Sequence, residues 1–275
     1  MKKLKKSLVK LIIRPREANS NKGSYGHALI IAGNKGRMGA AVIAARACLR
    51  AGCGLLTLDV PSDERNILQT AIPEAMLIMR ENMENDLNSF SAVGVGPGIG
   101  TGKDSEQMLI RVLAKCTKPL VLDADALNII ALNKSLLTKI PKGTIITPHP
   151  KEFDRLFGNH KDTKERMDTA VKKAKEYNLI IVLKGHRTLI TYKGATFLNY
   201  TGNAGLAKGG SGDALTGIIT SFLTQGYEPF NAAKLGVYIH GLAADEALQN
   251  QSMESMLITD VIECLGKAFK HILNN

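Results

Sequence analysis

The feature that most limits the fold is a set of short apolar runs, at residues 27–32, 55–60, 75–79, 92–96, 120–123, 144–147 and 179–183. Most are apolar at every position rather than at every second one. A strand with one wet face alternates; a strand covered on both faces does not. The runs therefore read as a mostly parallel sheet with helices on both faces. Helical patterns lie between and after them, at 40–51, 104–114, 151–157, 163–177, 212–224, 231–248 and 258–273. Two further runs, 188–192 and 195–200, flank Lys193-Gly194 and read as a hairpin at an antiparallel edge. No repeat or Pro/Ser/Gly-rich linker divides the 275 residues, so residues 22–275 read as a single α/β domain behind a basic extension, residues 1–21.

The formal charge is +11, which raises the question of a nucleic-acid or membrane partner. Its distribution answers much of it. Residues 1–22 carry Lys2, Lys3, Lys5, Lys6, Lys10, Arg14, Arg16 and Lys22 against Glu17, and so hold most of the excess. The rest of the chain is nearly balanced. The start resembles that of a signal peptide, but Lys10 interrupts the apolar stretch 8–13 and no small-residue cleavage site follows, so it does not read as one. It reads as a solvated extension; an arm for RNA or a membrane surface is the alternative. No aromatic residue interleaves with the lysines, so no nucleic-acid partner is expected. No apolar run approaches a membrane span. Cys48, Cys53, Cys116 and Cys264 lack zinc-site spacing and read as reduced thiols, which fits a cytoplasmic location.

In sheets of this kind ligands bind beyond the carboxyl ends of the strands. Four strand-to-helix junctions there are unusual: 32–41, the alternating glycines of 94–102, the Thr147-Pro148-His149-Pro150 turn, and 203–213. The second is neither a P-loop, which would need Gly at 97 and Ser or Thr at 104 where Pro97 and Asp104 stand, nor a dinucleotide fingerprint in any register.

The fourth junction carries the chemistry. In Lys208-Gly209-Gly210-Ser211-Gly212-Asp213 the glycines let backbone N–H groups converge at the start of an amphipathic helix. That start adds unpaired amides and a positive dipole end, so the turn is an anion hole for phosphate. Asp213 in the first turn can accept a proton from an attacking hydroxyl. Capping by Asp213 alone would not call for Gly209, Gly210 and Gly212. His149, pinned between prolines, reads as a binding residue, and Lys184 as a nucleotide contact. His240, among small residues on a helix, reads as packed.

These residues resemble the ribokinase-like superfamily, with its Gly-x-Gly-Asp turn, and within it the ADP/ATP-dependent (S)-NAD(P)H-hydrate dehydratases. The resemblance runs from Lys22 onward. It is carried by Lys22-Gly23-x-Tyr25-Gly26-His27, Gly39-Ala40-Ala41, Gly52-Cys53-Gly54-Leu55, Gly96-Pro97-Gly98-Ile99-Gly100, Asp123-Ala124-Asp125-Ala126-Leu127, Thr147-Pro148-His149-Pro150, Lys184-Gly185 and 203–213. Lys151 stands where Gly is frequent and Cys53 where Ala is usual.

The resemblance implies a ribokinase-like fold and a repair reaction. ADP, or alternatively ATP, with Mg²⁺ would phosphorylate the hydroxyl of (S)-NADHX or (S)-NADPHX, and loss of phosphate would restore NADH or NADPH. Asp213 would be the base, with Gly210 and Gly212 beside it. Gly209, Gly210, Ser211 and Gly212 would hold the phosphoryl group. Lys184, Gly185, His186, Arg187 and Thr188, with Asn203, Ala204, Gly205, Leu206, Ala207 and Lys208, would hold the nucleotide. Ala40, Gly98, Gly100, His149, Pro150, Lys151, Glu152, Phe153, Asp154 and Arg155 would line the hydrate site, and Asp123 and Glu152 are the metal candidates. A homo-oligomer, specifically a tetramer, is implied. The rival within the fold is a kinase of a vitamin precursor or sugar hydroxyl; outside it, a basic nucleic-acid-binding protein.

Overall fold

A computed structural model describes residues 1–82 and 86–274. The chain forms a ten-stranded sheet: β1 (Lys2–Lys3), β2 (His27–Ile31), β3 (Leu55–Val60), β4 (Met76–Met79), β5 (Ala92–Val95), β6 (Leu120–Leu122), β7 (Ile145–Ile146), β8 (Ile180–Leu183), β9 (Leu189–Tyr192) and β10 (Ala195–Leu198). Its order is β1-β10-β9-β8-β7-β6-β5-β2-β3-β4. From β4 to β8 every pairing is parallel, and β9 is antiparallel to both neighbours. Residues 92–95 and 180–183 are buried at every position, which is why these strands do not alternate.

The helices are α1 (Lys6–Ile12), α2 (Met38–Arg50), α3 (Arg65–Ala71), α4 (Lys103–Lys115), α5 (Ala124–Leu132), α6 (Pro150–Phe157), α7 (Thr163–Glu176), α8 (Ser211–Thr224), α9 (Pro229–Ala247), α10 (Ile258–Glu263) and α11 (Leu265–Leu273). One face of the sheet carries α4 to α7 over Leu29, Val93 and Ile181. The other carries α1, α8, α9, α10 and α11 over Ala92, Val121 and Val182, continued by α2 and α3 over Ala28 and Ile30. α8 is the hub of that second layer and is buried from Ala214 to Thr224. It lies so close to α2 that a Cβ on Gly217 would stand 2.1 Å from the Ala44 carbonyl oxygen.

Two expectations are corrected. Residues 1–21 are not a solvated extension throughout. β1 pairs in parallel with β10, Leu4 and Val9 are buried, and α1 packs against the α9–α11 layer. The closing helix expected over 258–273 is two helices, α10 and α11, separated at Cys264. All four cysteines are free and buried; the sulfurs of Cys48 and Cys53 lie 3.5 Å apart. Among the described residues no helix is long and apolar enough to cross a membrane.

The chain runs outward from β2 through β3 to β4, then returns to β5 on the other side of β2. This reversal opens a crevice at the carboxyl ends of β2 and β5, the usual ligand position in such a sheet. The Gly33 N–H donates to the Pro97 carbonyl across it, at 2.7 Å.

Candidate active site

A cleft of about 730 Å³ opens over the carboxyl ends of β6, β7 and β8. Each strand delivers a charged or polar group at its last position or just beyond: Asp123 after β6, His149 after β7 and Lys184 after β8. The far wall is the start of α8, with Ser211, Gly212 and Asp213.

Gly210 precedes α8 with φ 91° and ψ −16°, a left-handed conformation that glycine adopts without a Cβ clash. No side chain caps the helix, and while the Ser211 N–H reaches the Lys208 carbonyl at 3.4 Å, the Gly212 and Asp213 amides of the first turn are left to an external acceptor. A Cβ on Gly212 would stand 3.1 Å from Lys184 Nζ and 3.3 Å from Asp123 Oδ2. The absence of side chains there leaves a cradle between a helix start and an ammonium group, shaped and charged for phosphate.

Asp123 is 1% exposed. One of its oxygens accepts from Lys184 Nζ at 2.8 Å and the other from Thr216 Oγ1 at 2.9 Å. The second carboxylate near Lys184 is Glu152, at 3.8 Å. Burial alone would push the Lys184 ammonium toward neutrality, but Asp123, Glu152 and Asp213 outweigh it and raise its pKa. Lys184 is thus a firm cation. Asp213 goes the other way. Burial and repulsion from Asp123 lift its pKa to about 7, with Lys184 restraining the rise. A carboxyl group poised there can take and return a proton near neutral pH.

His149 is the N-cap of α6. Its Nδ1 accepts from the N–H groups of Lys151 and Glu152 at 3.1 and 3.2 Å, and the Glu152 carboxylate accepts from the His149 N–H at 2.8 Å. With Nδ1 an acceptor, the proton sits on Nε2. Burial and then the Lys184 charge lower the His149 pKa. Burial raises that of Glu152 against the pull of Lys184.

The structure gathers His149, Pro150, Glu152, Lys184, Gly185, His186, Thr188, Asn203, Ala204, Leu206, Ala207, Ser211, Gly212 and Asp213 around this one cleft. Gly98, Gly100 and Ala40 meet in the adjoining β2/β5 crevice: a Cβ on Gly98 would touch that of Ala40 at 3.0 Å, and the Gly100 N–H donates to Asp125. Ala40 lies one helical turn from Ile43, which packs against Gly210, so crevice and cleft adjoin. Gly209 has open space around its Cα.

Several other expected site residues do not line the cleft. Phe153 is fully buried and packs on Phe157, so it is core rather than lining. Asp154 turns away to Arg166 and His160, at 2.7–2.8 Å. Lys151 is exposed on α6, and Arg155 is tied to Asn128. Gly205 is buried under Met256. Lys208 donates to the Glu254 carbonyl, and Arg187 stacks on Tyr200. Asp123 and Glu152, the metal candidates, both line the cleft. Their oxygens already serve Lys184, Thr216 and the His149 N–H. No three His, Cys, Asp or Glu among the described residues are grouped to hold a metal.

Sequence reasoning missed Ala124, Asn199, Thr201, Gly202, Leu215, Val237, His240 and Gly241, which also line the cleft. Asn199 and Thr201 sit just after the hairpin and bond one another and the α9 backbone. A polar pair leaving an apolar strand was the available signal for them. α9 gave none, because its lining residues sit within an almost wholly buried helix.

The profile of a family described as NAD(P)H-hydrate dehydratase matches residues 28–267. An ADP-dependent (S)-NAD(P)H-hydrate dehydratase from Neisseria meningitidis serogroup B is 36% identical over 260 residues, covering 91% of this chain and 87% of that protein. A bifunctional NAD(P)H-hydrate repair enzyme from Moorella thermoacetica is 36% identical over 273 residues. That match takes in 94% of this chain but 52% of the relative, so the chain spans about half its length. The solved structure of the ADP/ATP-dependent NAD(P)H-hydrate dehydratase from Bacillus subtilis, co-crystallised with ATP and Mg²⁺, has a TM-score of 0.88 at 31% identity. It covers 98% of each chain.

Proposed function

The chain belongs to the NAD(P)H-hydrate dehydratase family, and from that premise we propose that it converts (S)-NADHX and (S)-NADPHX to NADH and NADPH with ADP, or ATP, as phosphoryl donor. The observation that carries this reading is Asp213. It is a carboxyl group with a pKa near 7, in the first turn of an uncapped helix, beside an ammonium group held by Asp123.

The hydrate occupies the crevice lined by Ala40, Gly98 and Gly100 and reaches toward His149; the nucleotide occupies the cleft. Asp213 takes the proton of the hydrate hydroxyl as its oxygen attacks the terminal phosphorus. An O–P bond forms, and the bond to the nucleotide's bridging oxygen breaks. The amides at the start of α8 and Lys184 hold the charge that develops on the phosphoryl oxygens. The C–O bond then breaks, pushed by the ring nitrogen's lone pair, and phosphate leaves. Loss of a proton from the adjacent ring carbon restores the dihydronicotinamide. Hydroxide is a far poorer leaving group than phosphate, which accounts for the use of a nucleotide.

Magnesium fits this donor set as a companion of the nucleotide phosphates, whose charge it would neutralise, with waters completing its shell. We further read the enzyme as a cytoplasmic homo-oligomer.

The test is to incubate purified protein with NADHX, magnesium and ADP or ATP, and follow the NADH absorbance band. Recovery with either nucleotide supports the reading. No recovery with either, while a vitamin-precursor or sugar alcohol is phosphorylated, would make the chain a small-molecule kinase of the same fold.

A further inference from the structure

One polar side chain of the cleft has no role in the scheme above. His240 is 7% exposed and lies on α9, and it was expected to be simply packed. It lines the cleft, and its Nε2 is fully buried with no hydrogen-bond partner among the described residues. Burial, with the Lys184 charge adding to it, lowers its pKa to about 4, so the ring is neutral at any physiological pH.

A neutral imidazole carries one proton. A stranded N–H costs more than a stranded lone pair, so the proton belongs on Nδ1 and Nε2 stays bare. Among the described residues Nδ1 has no hydrogen-bond partner, and it is not among the fully buried unpartnered atoms as Nε2 is. The ring therefore offers the cleft a single donor that no described residue engages.

The neighbours say what that donor would meet. Leu206, Leu215, Val237 and Gly241 are apolar lining of the same cleft and come, like His240, from the helices and the loop that wall it. Phosphates belong at the other part, against the α8 amides and Lys184. A flat heteroaromatic base fits an apolar wall that carries one neutral donor. Adenine has three ring nitrogens that accept hydrogen bonds, N1, N3 and N7.

We propose that His240 is a specificity-determining residue that donates through Nδ1 to a ring nitrogen of the purine base. The inference rests on the nucleotide reading above and adds the group that recognises the base.

The experiment is a cycle that pairs ligand changes with protein changes. Calorimetry measures the Kd of the full-length protein for ADP and its 1-deaza, 3-deaza and 7-deaza analogues. One analogue should bind about tenfold more weakly than ADP, the loss expected for one neutral hydrogen bond. His240→Phe and His240→Leu remove the donor and differ in bulk; the one that keeps the wild-type circular dichroism carries the comparison. In it ADP should weaken by about the same factor, and the discriminated analogue should match ADP. His240→Asn, which keeps an N–H near the Nδ1 position, should retain the discrimination. A packing residue would weaken all four ligands alike. The proposal is overturned if the wild type binds all four equally, or if the discrimination survives loss of the donor. If ADP itself does not bind the wild type, it is the nucleotide reading that fails.

Discussion

Asp213 must be ionised to take a proton, and with a pKa of about 7 it is half ionised near neutrality. kcat/KM, which reports the free enzyme, should therefore rise between about pH 6 and pH 8 and then level off. A flat kcat/KM profile across that range would take Asp213 out of its role. Asp213→Asn keeps size and polarity but cannot accept the proton. It should lower kcat by at least about 100-fold while calorimetry shows ADP still bound. The same carboxyl group costs the empty enzyme stability. Its folded pKa lies above the ordinary 3.8, so its contribution is full below about pH 3.8 and is lost as pH rises through about 7. Asp213→Asn escapes that loss. It should be more stable than the wild type at pH 8 by about 1–3 kcal/mol, with the gap closing as pH falls toward 4. Thermal melting across pH measures this, and an equal gap at both ends would contradict it.

The active helix is held by contacts that leave little room. Gly217 faces the Ala44 carbonyl on α2, where a Cβ would sit 2.1 Å from the oxygen. Helix propensity favours Gly217→Ala by about 1 kcal/mol. Overpacking against a backbone carbonyl opposes it with about 3 kcal/mol or more. The substitution should therefore lower stability by about 2 kcal/mol, read from the denaturant midpoint. A gain instead would mean that α2 and α8 separate easily. At this scale the sheet was legible, because strands buried on both faces leave runs such as 92–96 and 179–183. The hairpin was legible through Lys193-Gly194, both at positive φ. The phosphate turn was legible because glycines and an acid at a helix start are chemically specific. α3 and α5 were not. α3 is a single short stretch with one buried residue, Leu68. α5 follows Asp123 directly, with no capping bond from that side chain to mark its start. Asp154 and Phe153 were misread for a tertiary reason. Proximity in sequence to His149 does not say which face of α6 meets the cleft.

For the whole molecule the basic excess changes meaning. Charge alone suggested a detachable arm, and the apolar positions within it were the stronger signal. Leu4, Val9 and Ile13 are buried in the main core. Arg14 stacks on Tyr227 and Arg16 on Tyr25, so the cationic side chains themselves cover aromatic surface. The segment also reaches the cleft by way of the sheet. β1 pairs with β10, and the Leu4 N–H donates to the Leu198 carbonyl at 2.8 Å, immediately before Asn199 and Thr201 in the cleft wall. Deleting residues 1–13 should therefore have two effects. Loss of three buried aliphatic side chains should cost about 5 kcal/mol, at roughly 1.5–3 kcal/mol each with some relaxation of the site, and lower Tm accordingly. Loosening of the 199–204 wall should also weaken ADP binding, while kcat at saturating ADP changes little because Asp213, Lys184 and the α8 start lie outside the deleted contacts. An unchanged Tm would restore the picture of a solvated arm. A fall in kcat equal to the fall in affinity would mean that the deletion had disturbed the α8 turn itself.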